Sequence, residues 1–290
     1  MPRKSLSNHP SSQYVGRFAP SPTGELHFGS LVAAVGSFLQ ARHQHGTWLV
    51  RIDDLDPPRV VPGSAQRILD DLARFGMRSD RPVQFQSRRD RAYTFAIEQL
   101  TREGQLFACA CTRSELPPGP YPGTCRNGLQ AGIEGRSLRV RVQDTPIAFN
   151  DRVRGTVTEN LALTSGDFIV KRADGLPAYQ LAVVIDDAWQ GVTEVVRGAD
   201  LLDSTPRQIH LQQLLGLPQP AYMHLPVVLD EAGRKLSKRF GADPVSEQST
   251  LEALGAALGF LGHEPPPHRD LEQRWAWALA HWDVSRIPGG

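Results

Sequence analysis

The sequence is poor in features that define several protein classes. Cysteine is scarce, with only Cys109, Cys111 and Cys125 in 290 residues. An odd number in a chain of this length argues against a disulfide framework. No apolar run approaches the ~18 residues needed to cross a bilayer. The polar opening, Met1 to Gln13, lacks the apolar stretch of a secretory signal. A cytoplasmic protein with no membrane partner is therefore expected. An excess of one charge is missing too, since 32 Lys and Arg against 31 Asp and Glu leave +1. A polyanionic partner would have to be met by a local basic patch. Repeats and low-complexity tracts are absent. What remains, 40% hydrophobic and 22% charged residues, suits one large soluble domain with small additions.

The texture along the chain is α/β. Tyr14 to Ala19 reads as a short strand running into the turn-rich Pro20-Ser21-Pro22-Thr23-Gly24. From His27 to Arg42, Leu31, Val35, Phe38 and Leu39 share one helical face. Trp48 to Ile52 is a second strand, ended by the acidic, proline-bearing Asp53 to Pro58. Helices are predicted at Ser64 to Phe75 and Arg89 to Arg102. Strands and helices alternating at this spacing favour a parallel sheet with crossover helices. Residues 106–160 break this pattern with Gly, Pro and Cys. Short alternating runs such as Leu138, Val140 and Val142 then predict a small antiparallel section. The expected division is a first half-domain at 14–105, an insertion at 106–160, a second half at 161–240 and a helical end at 241–290. Trp275, Trp277 and Trp282 in that end read as packing residues rather than a base-stacking platform. Ligands of open parallel sheets sit at the carboxyl ends of strands, near the switch point.

Two loops are suited to phosphate chemistry. The first, Pro20 to Ser30, joins a strand to a helix whose first N–H groups and dipole attract an anion. His27 stands where that helix begins, and Gly24 and Gly29 permit close approach of a ligand. The second, Gly233-Arg234-Lys235-Leu236-Ser237-Lys238-Arg239, carries four cations in seven residues. Such a loop can stabilise the charge of a departing pyrophosphate. Alone, each would be an ordinary turn or a solvated surface loop.

Together they carry a resemblance. His27-Phe28-Gly29-Ser30 resembles the HIGH motif of class I aminoacyl-tRNA synthetases, and Lys235-Leu236-Ser237-Lys238-Arg239 resembles their KMSKS motif. The stretches Gly16 to Gly24, Asp174 to Ala182 and Val196 to Leu202 are similar to the glutamyl and glutaminyl subgroup. The matches spread over residues 14–240 and imply a Rossmann-like class I catalytic domain. They also imply His27, Lys235 and Lys238 as catalytic residues, His27, Gly29 and Lys238 as ATP contacts, and Mg²⁺ with the ATP substrate. Arg17, Phe18, Ala19, Pro20, Ser21, Asp53, Tyr179 and Arg197 are implied to line a glutamate site. Two carboxylates and an ammonium require a guanidinium and an acid. Arg197 or Arg17 is expected to take a carboxylate, and Asp53 the ammonium. The family usually has Glu at the position of Asp53, and Ser is common at that of Arg239.

The three cysteines fall within 17 residues and can supply three corners of a tetrahedral zinc site. No histidine lies nearby, so the residues alone leave water or Glu115 as the fourth ligand. The closest resemblance is to the glutamyl-queuosine synthetases, and it implies Tyr121 in that place, with Zn²⁺ structural rather than catalytic. Such enzymes form glutamyl-adenylate and pass glutamate to queuosine in the anticodon loop of tRNA(Asp). Only 51 residues follow Arg239, too few for the anticodon-binding region of a glutamyl-tRNA synthetase. The alternatives are a truncated enzyme acting on a tRNA acceptor end, or a non-catalytic tRNA-binding paralogue. A monomer is expected. Arg126, Arg136, Arg139, Arg141, Arg152 and Arg154 either track RNA phosphates or form a solvated face.

Overall fold

A computed structural model describes residues 13–229, 245–267 and 269–289. The basic loop with Lys235 and Lys238 lies outside the described residues. Three parallel strands, β1 (Val15–Phe18), β2 (Thr47–Ile52) and β3 (Gln84–Phe85), form a sheet in the order β1-β2-β3. A second group runs β7-β6-β10-β9, from β6 (Ile147–Asp151), β7 (Gly155–Glu159), β9 (Glu194–Gly198) and β10 (Ala221–Leu225). The two groups meet where β1 lies beside β9. There Thr193 N–H donates to Val15 O, and Val15 N–H to Thr193 Oγ1, both at 2.9 Å. Chain order thus reverses between β1 and β9, which makes this junction the switch point.

Helix α1 (Phe28–His43) explains how the sheet is covered. It is buried almost all round from Leu31 to Ala41, because its residues are apolar or small on every side. Gly36 lies so close to Leu225 of β10 that a Cβ would sit 2.6 Å from the leucine methyl. Any larger residue would push the helix off the strand. The helices α2 (Ser64–Arg74) and α3 (Asp90–Arg102) each bury one face, with Ile68 and Leu72 in α2 and Tyr93, Ala96 and Leu100 in α3.

Within the expected insertion at 106–160, β4 (Leu106–Cys109) and β5 (Ser137–Val140) form a separate antiparallel sheet, β4-β5-β8, whose third strand β8 (Phe168–Lys171) comes from beyond those bounds. A one-turn helix, α4 (Leu161–Thr164), precedes β8. The hairpin β6–β7 is antiparallel as its alternation predicts, but β6 also pairs in parallel with β10 and so extends the main sheet. Helices α5 (Tyr179–Gln190) and α6 (Thr205–Leu215) pack together beside the sheet. The last helices, α7 (Thr250–Phe260) and α8 (Leu271–His281), lie against α1. Leu254, Leu258, Leu261 and Trp282 enter the same apolar core as Leu31, Phe38 and Trp48. The tryptophans are indeed packing residues. Trp275 Nε1 donates to Phe75 O at 2.8 Å, and Trp282 Nε1 to Gln40 Oε1 at 2.9 Å. Trp277 packs against the edge of the core and stacks on His281.

Candidate active site

A cleft of about 740 Å³ opens at the switch point. It is lined from β1 and its loop by Arg17, Phe18, Ala19, Pro20 and Ser21, from α1 by Gly29 and Ser30, and by His27, Asp53, Tyr179 and Arg197. The structure therefore brings together every described residue expected to contact glutamate or ATP. A smaller recess of about 70 Å³ adjoins it, lined by Asp53, Asp56, Arg59, Arg172 and Tyr179 among others.

His27 caps α1. Its Nδ1 accepts from Ser30 N at 3.2 Å, and its Nε2 lies 3.0 Å from Ser30 Oγ. A lone pair on Nδ1 leaves the ring proton on Nε2, aimed at the hydroxyl. The imidazole is thus fixed at a helix N-terminus, where partial positive charge already favours phosphate.

The floor is a ladder of buried charges. Arg17 Nε donates to Asp187 Oδ1 at 3.2 Å, and its Nη1 to Val196 O at 3.4 Å. Arg51, wholly buried, donates from Nε to Asp53 Oδ1 at 2.8 Å. Its Nη1 donates to Asp187 Oδ1 at 2.6 Å and to Gln190 Oε1 at 3.0 Å. Burial opposes the charge on Asp187, but Arg17 and Arg51 outweigh it and hold the carboxyl below its usual range. Asp53 behaves oppositely. Burial raises its pKa more than Arg51 lowers it, Asp187 and Asp186 add to the rise, and the group is pushed up to about 6.

Arg197 differs from both other arginines. Its Nε donates to His224 Nε2 at 3.1 Å, and its Nη2 donates to Thr205 Oγ1 at 2.7 Å and to Leu201 O at 3.3 Å. Its Nη1 is buried without a hydrogen-bond partner, and no carboxylate pairs with it among the described residues. Burial draws its pKa below the ordinary value. A buried cation without a counterion is costly. Arg197 also lines the cleft, so its unpaired Nη1 lies at the wall.

Sequence reasoning missed Arg51, Asp151, Asp187, Thr205 and His224. Signals existed: Arg51 interrupts an otherwise apolar strand, and Asp187 falls on the buried side of α5.

In the insertion, the sulfur atoms of Cys109, Cys111 and Cys125 lie within 4.8 Å of one another. Tyr121 Oη is 3.5 Å from Cys109 Sγ and 3.9 Å from Cys111 Sγ, and it accepts from Cys125 N at 2.8 Å. Glu115 instead turns away to cap Thr112. The backbone of Gly166 abuts Tyr121 so closely that a Cβ would lie 2.7 Å from its N and O, and a φ of +62° also favours glycine there. Burial alone would raise the Cys109 thiol, but hydrogen bonds from Tyr121 and Arg139 bring it down to about 7. Three convergent thiols, one near ionisation, and a phenol oxygen form a donor set that fits zinc.

The six arginines considered for RNA mostly serve the fold. Arg126 pairs with Asp167, Arg152 with Glu194, and Arg139 donates to Cys109 Sγ and Asp167 O. Arg154 reaches Gly289 O, and Arg141 lies over Phe107. Arg136 is exposed.

A parallel sheet whose switch point holds a helix-capping histidine and a buried arginine without a carboxylate partner among the described residues is the arrangement expected of an amino-acid-activating enzyme of class I. The family described as tRNA synthetases class I (E and Q), catalytic domain, matches residues 13–118 and 124–256, and the chain belongs to it. Among curated proteins, it is 56% identical to a glutamyl-Q tRNA(Asp) synthetase of Aromatoleum aromaticum, over 95% of this chain and 90% of that one. It is 51% identical to the one of Pseudomonas aeruginosa, over 96% of both chains. Among solved structures, a glutamate tRNA ligase of Elizabethkingia meningosepticum in complex with its amino acid superposes with a TM-score of 0.79 at 25% identity. That match covers 97% of this chain and 66% of the ligase, so the chain spans about two thirds of the length of the solved ligase. No helix among the described residues is long and apolar enough to cross a membrane.

Proposed function

We propose that the chain activates glutamate with ATP and transfers it to queuosine in the anticodon loop of tRNA(Asp). The observation that carries the activation step is the buried, unpaired Arg197 Nη1; among the described residues of the cleft wall, Arg17 and Arg59 pair with carboxylates and Arg197 does not. Arg197 takes a glutamate carboxylate, because Arg17 is already bound to Asp187. Asp53, ionised above about pH 6, takes the ammonium. Phe18, Ala19, Pro20, Ser21 and Tyr179 close around the substrate.

Two steps follow. The glutamate α-carboxylate oxygen attacks the α-phosphorus of ATP, the bond to the β-phosphate breaks, and pyrophosphate leaves. His27 and the N-terminus of α1, with Gly29 at its first turn, hold the phosphates. Lys235, Lys238 and Mg²⁺ offset the charge of the leaving group. A queuosine hydroxyl then attacks the activated carbonyl, and AMP leaves. The recess by Asp56, Arg59 and Arg172 adjoins the glutamate pocket and is where the nucleoside would enter. Cys109, Cys111, Tyr121 and Cys125 would hold a zinc ion whose role is structural, ordering the insertion. A tRNA substrate, as the relatives' names print it, supports a cytoplasmic site of action.

The queuosine acceptor is favoured by relatives above 50% identity that carry that name over nearly their whole length. The test is transfer of labelled glutamate to tRNA with and without queuosine. Labelling confined to the queuosine pool is expected. Equal labelling of both pools would instead indicate acceptor-end charging, and labelling of neither, without glutamate-dependent pyrophosphate exchange, a binding paralogue.

A further inference from the structure

Arg197 is held from behind by residues that lie in no recognised motif. Its Nε–H points at His224 Nε2, 3.1 Å away, and the Thr205 hydroxyl lies 3.1 Å from the same nitrogen. To accept these donors, Nε2 must keep its lone pair. The ring proton then sits on Nδ1, 2.6 Å from Asp151 Oδ2. Burial lowers the imidazole pKa, so the ring is neutral near pH 7.

Asp151 is itself fixed from three sides. Its Oδ1 accepts from the backbone N–H of Val153 at 3.0 Å and of Arg154 at 2.9 Å, and its Oδ2 from His224 N at 3.1 Å. A carboxylate accepts only, so it dictates which imidazole nitrogen donates.

We propose that Asp151 and His224 are positioning residues for Arg197: the Asp151–His224 pair holds the guanidinium with Nη1 toward the cleft and so sets affinity for the substrate carboxylate. The inference rests on Arg197 being the carboxylate receptor. It extends from the cleft wall through β10 to the end of β6, where Tyr222 pairs with Asp151.

Asp151→Asn is the discriminating change, since it keeps shape and turns Oδ2, which accepts from both His224 Nδ1 and His224 N, into a donor. The asparagine oxygen stays with the Val153 and Arg154 N–H groups, leaving its NH₂ against His224. Nδ1 must then accept, the proton moves to Nε2, and a donor faces the Arg197 Nε–H. The KM for glutamate in pyrophosphate exchange should rise about tenfold, as for a lost charge-assisted hydrogen bond, while the KM for ATP stays within about twofold of wild type.

His224→Phe removes the acceptor without introducing a donor and should raise the glutamate KM similarly. It carries the test if Asp151→Asn does not fold. Asp151→Asn combined with His224→Phe should be no worse for glutamate than His224→Phe alone, because no tautomer remains to be set. A merely structural role would shift both KM values and add in the double variant, which would overturn the proposal. So would unchanged glutamate KM values in both single variants while Arg197→Ala loses glutamate, although the reading of Arg197 would stand. An unchanged glutamate KM in Arg197→Ala would overturn the reading and the inference together.

Discussion

The switch-point cleft and the cysteine-bearing insertion solve different problems with buried polar groups. In the cleft, Arg17, Arg51, Asp53 and Asp187 neutralise one another. They are backed by an apolar core running from Leu31 through Trp48 to Leu258. That core is large enough to tolerate one uncompensated cation, Arg197. The insertion has no such reserve. Its own cluster is Phe107, Cys109, Tyr121 and Cys125, with Cys111, Leu116 and Leu129 at the edge. A cluster that small cannot order some 30 residues by apolar burial alone. In the proposed reading, the unpaired Nη1 of Arg197 meets a substrate carboxylate, whereas the convergent thiols of the insertion hold a structural ion.

The comparison breaks most visibly if the two regions respond alike to the loss of what they bind. Zinc removal by a chelator, or Cys125→Ser, should expose amides of residues 106–136 to hydrogen exchange and leave β1, β2 and β9 protected. The expected loss is large, since a structural zinc supplies on the order of 10 kcal/mol to ordering its site. Uniform protection throughout, or stoichiometric metal missing from protein purified without chelator, would rule out the ion.

Arg197→Ala should act on the other region only. Losing a charge-assisted contact of about 3 kcal/mol raises the glutamate KM about 10²-fold, with little change in metal content or in insertion protection. A parallel loss of zinc would show that the two regions are not independent.

Asp53 sharpens the contrast through pH. Its folded pKa of about 6 lies above the ordinary carboxylate value, so ionisation is disfavoured and the charge is lost as pH falls through 6. Glutamate KM should then rise about tenfold per pH unit below 6, while ATP KM stays level. For stability the sign is opposite: the protonated form favours the fold, and this contribution fades as pH rises through 6. A glutamate KM flat from pH 7 to 5 would remove Asp53 from the ammonium site.

The smallest effect is expected in the shared core. Trp282→Phe removes the donor to Gln40 Oε1 and should cost about 1 kcal/mol of stability, read as a modest fall in melting temperature with catalysis unchanged. A changed glutamate KM would mean that α1 transmits strain from α8 to His27.

Much of the site was legible in the sequence because its pieces are local. The cap at His27, Asp53 at the end of a strand and the Cys109-x-Cys111 spacing each follow from short-range geometry. Arg51, Asp187, Asp151 and His224 were not legible, because their meaning lies in pairings across the chain: Asp187 meets Arg17 across 170 positions, and His224 meets Asp151 across 73. The same holds for β6, which falls in the predicted antiparallel section but whose last residue pairs in parallel with β10. The arginines after the cysteines were left between an RNA track and a solvated face, because the counterions of Arg126 and Arg152, Asp167 and Glu194, are remote in sequence. The order of Arg17 and Arg197 also needed coordinates, since only the presence of Asp187 beside one of them separates their roles.

The most direct test is ATP–pyrophosphate exchange by the purified protein without RNA, comparing glutamate with glutamine and aspartate. A carboxylate receptor at Arg197 predicts exchange with glutamate, and exchange with glutamine weaker by 10²-fold or more, because a neutral amide leaves the buried guanidinium uncompensated. Equal exchange with glutamate and glutamine, or none with any of the three, would contradict the account.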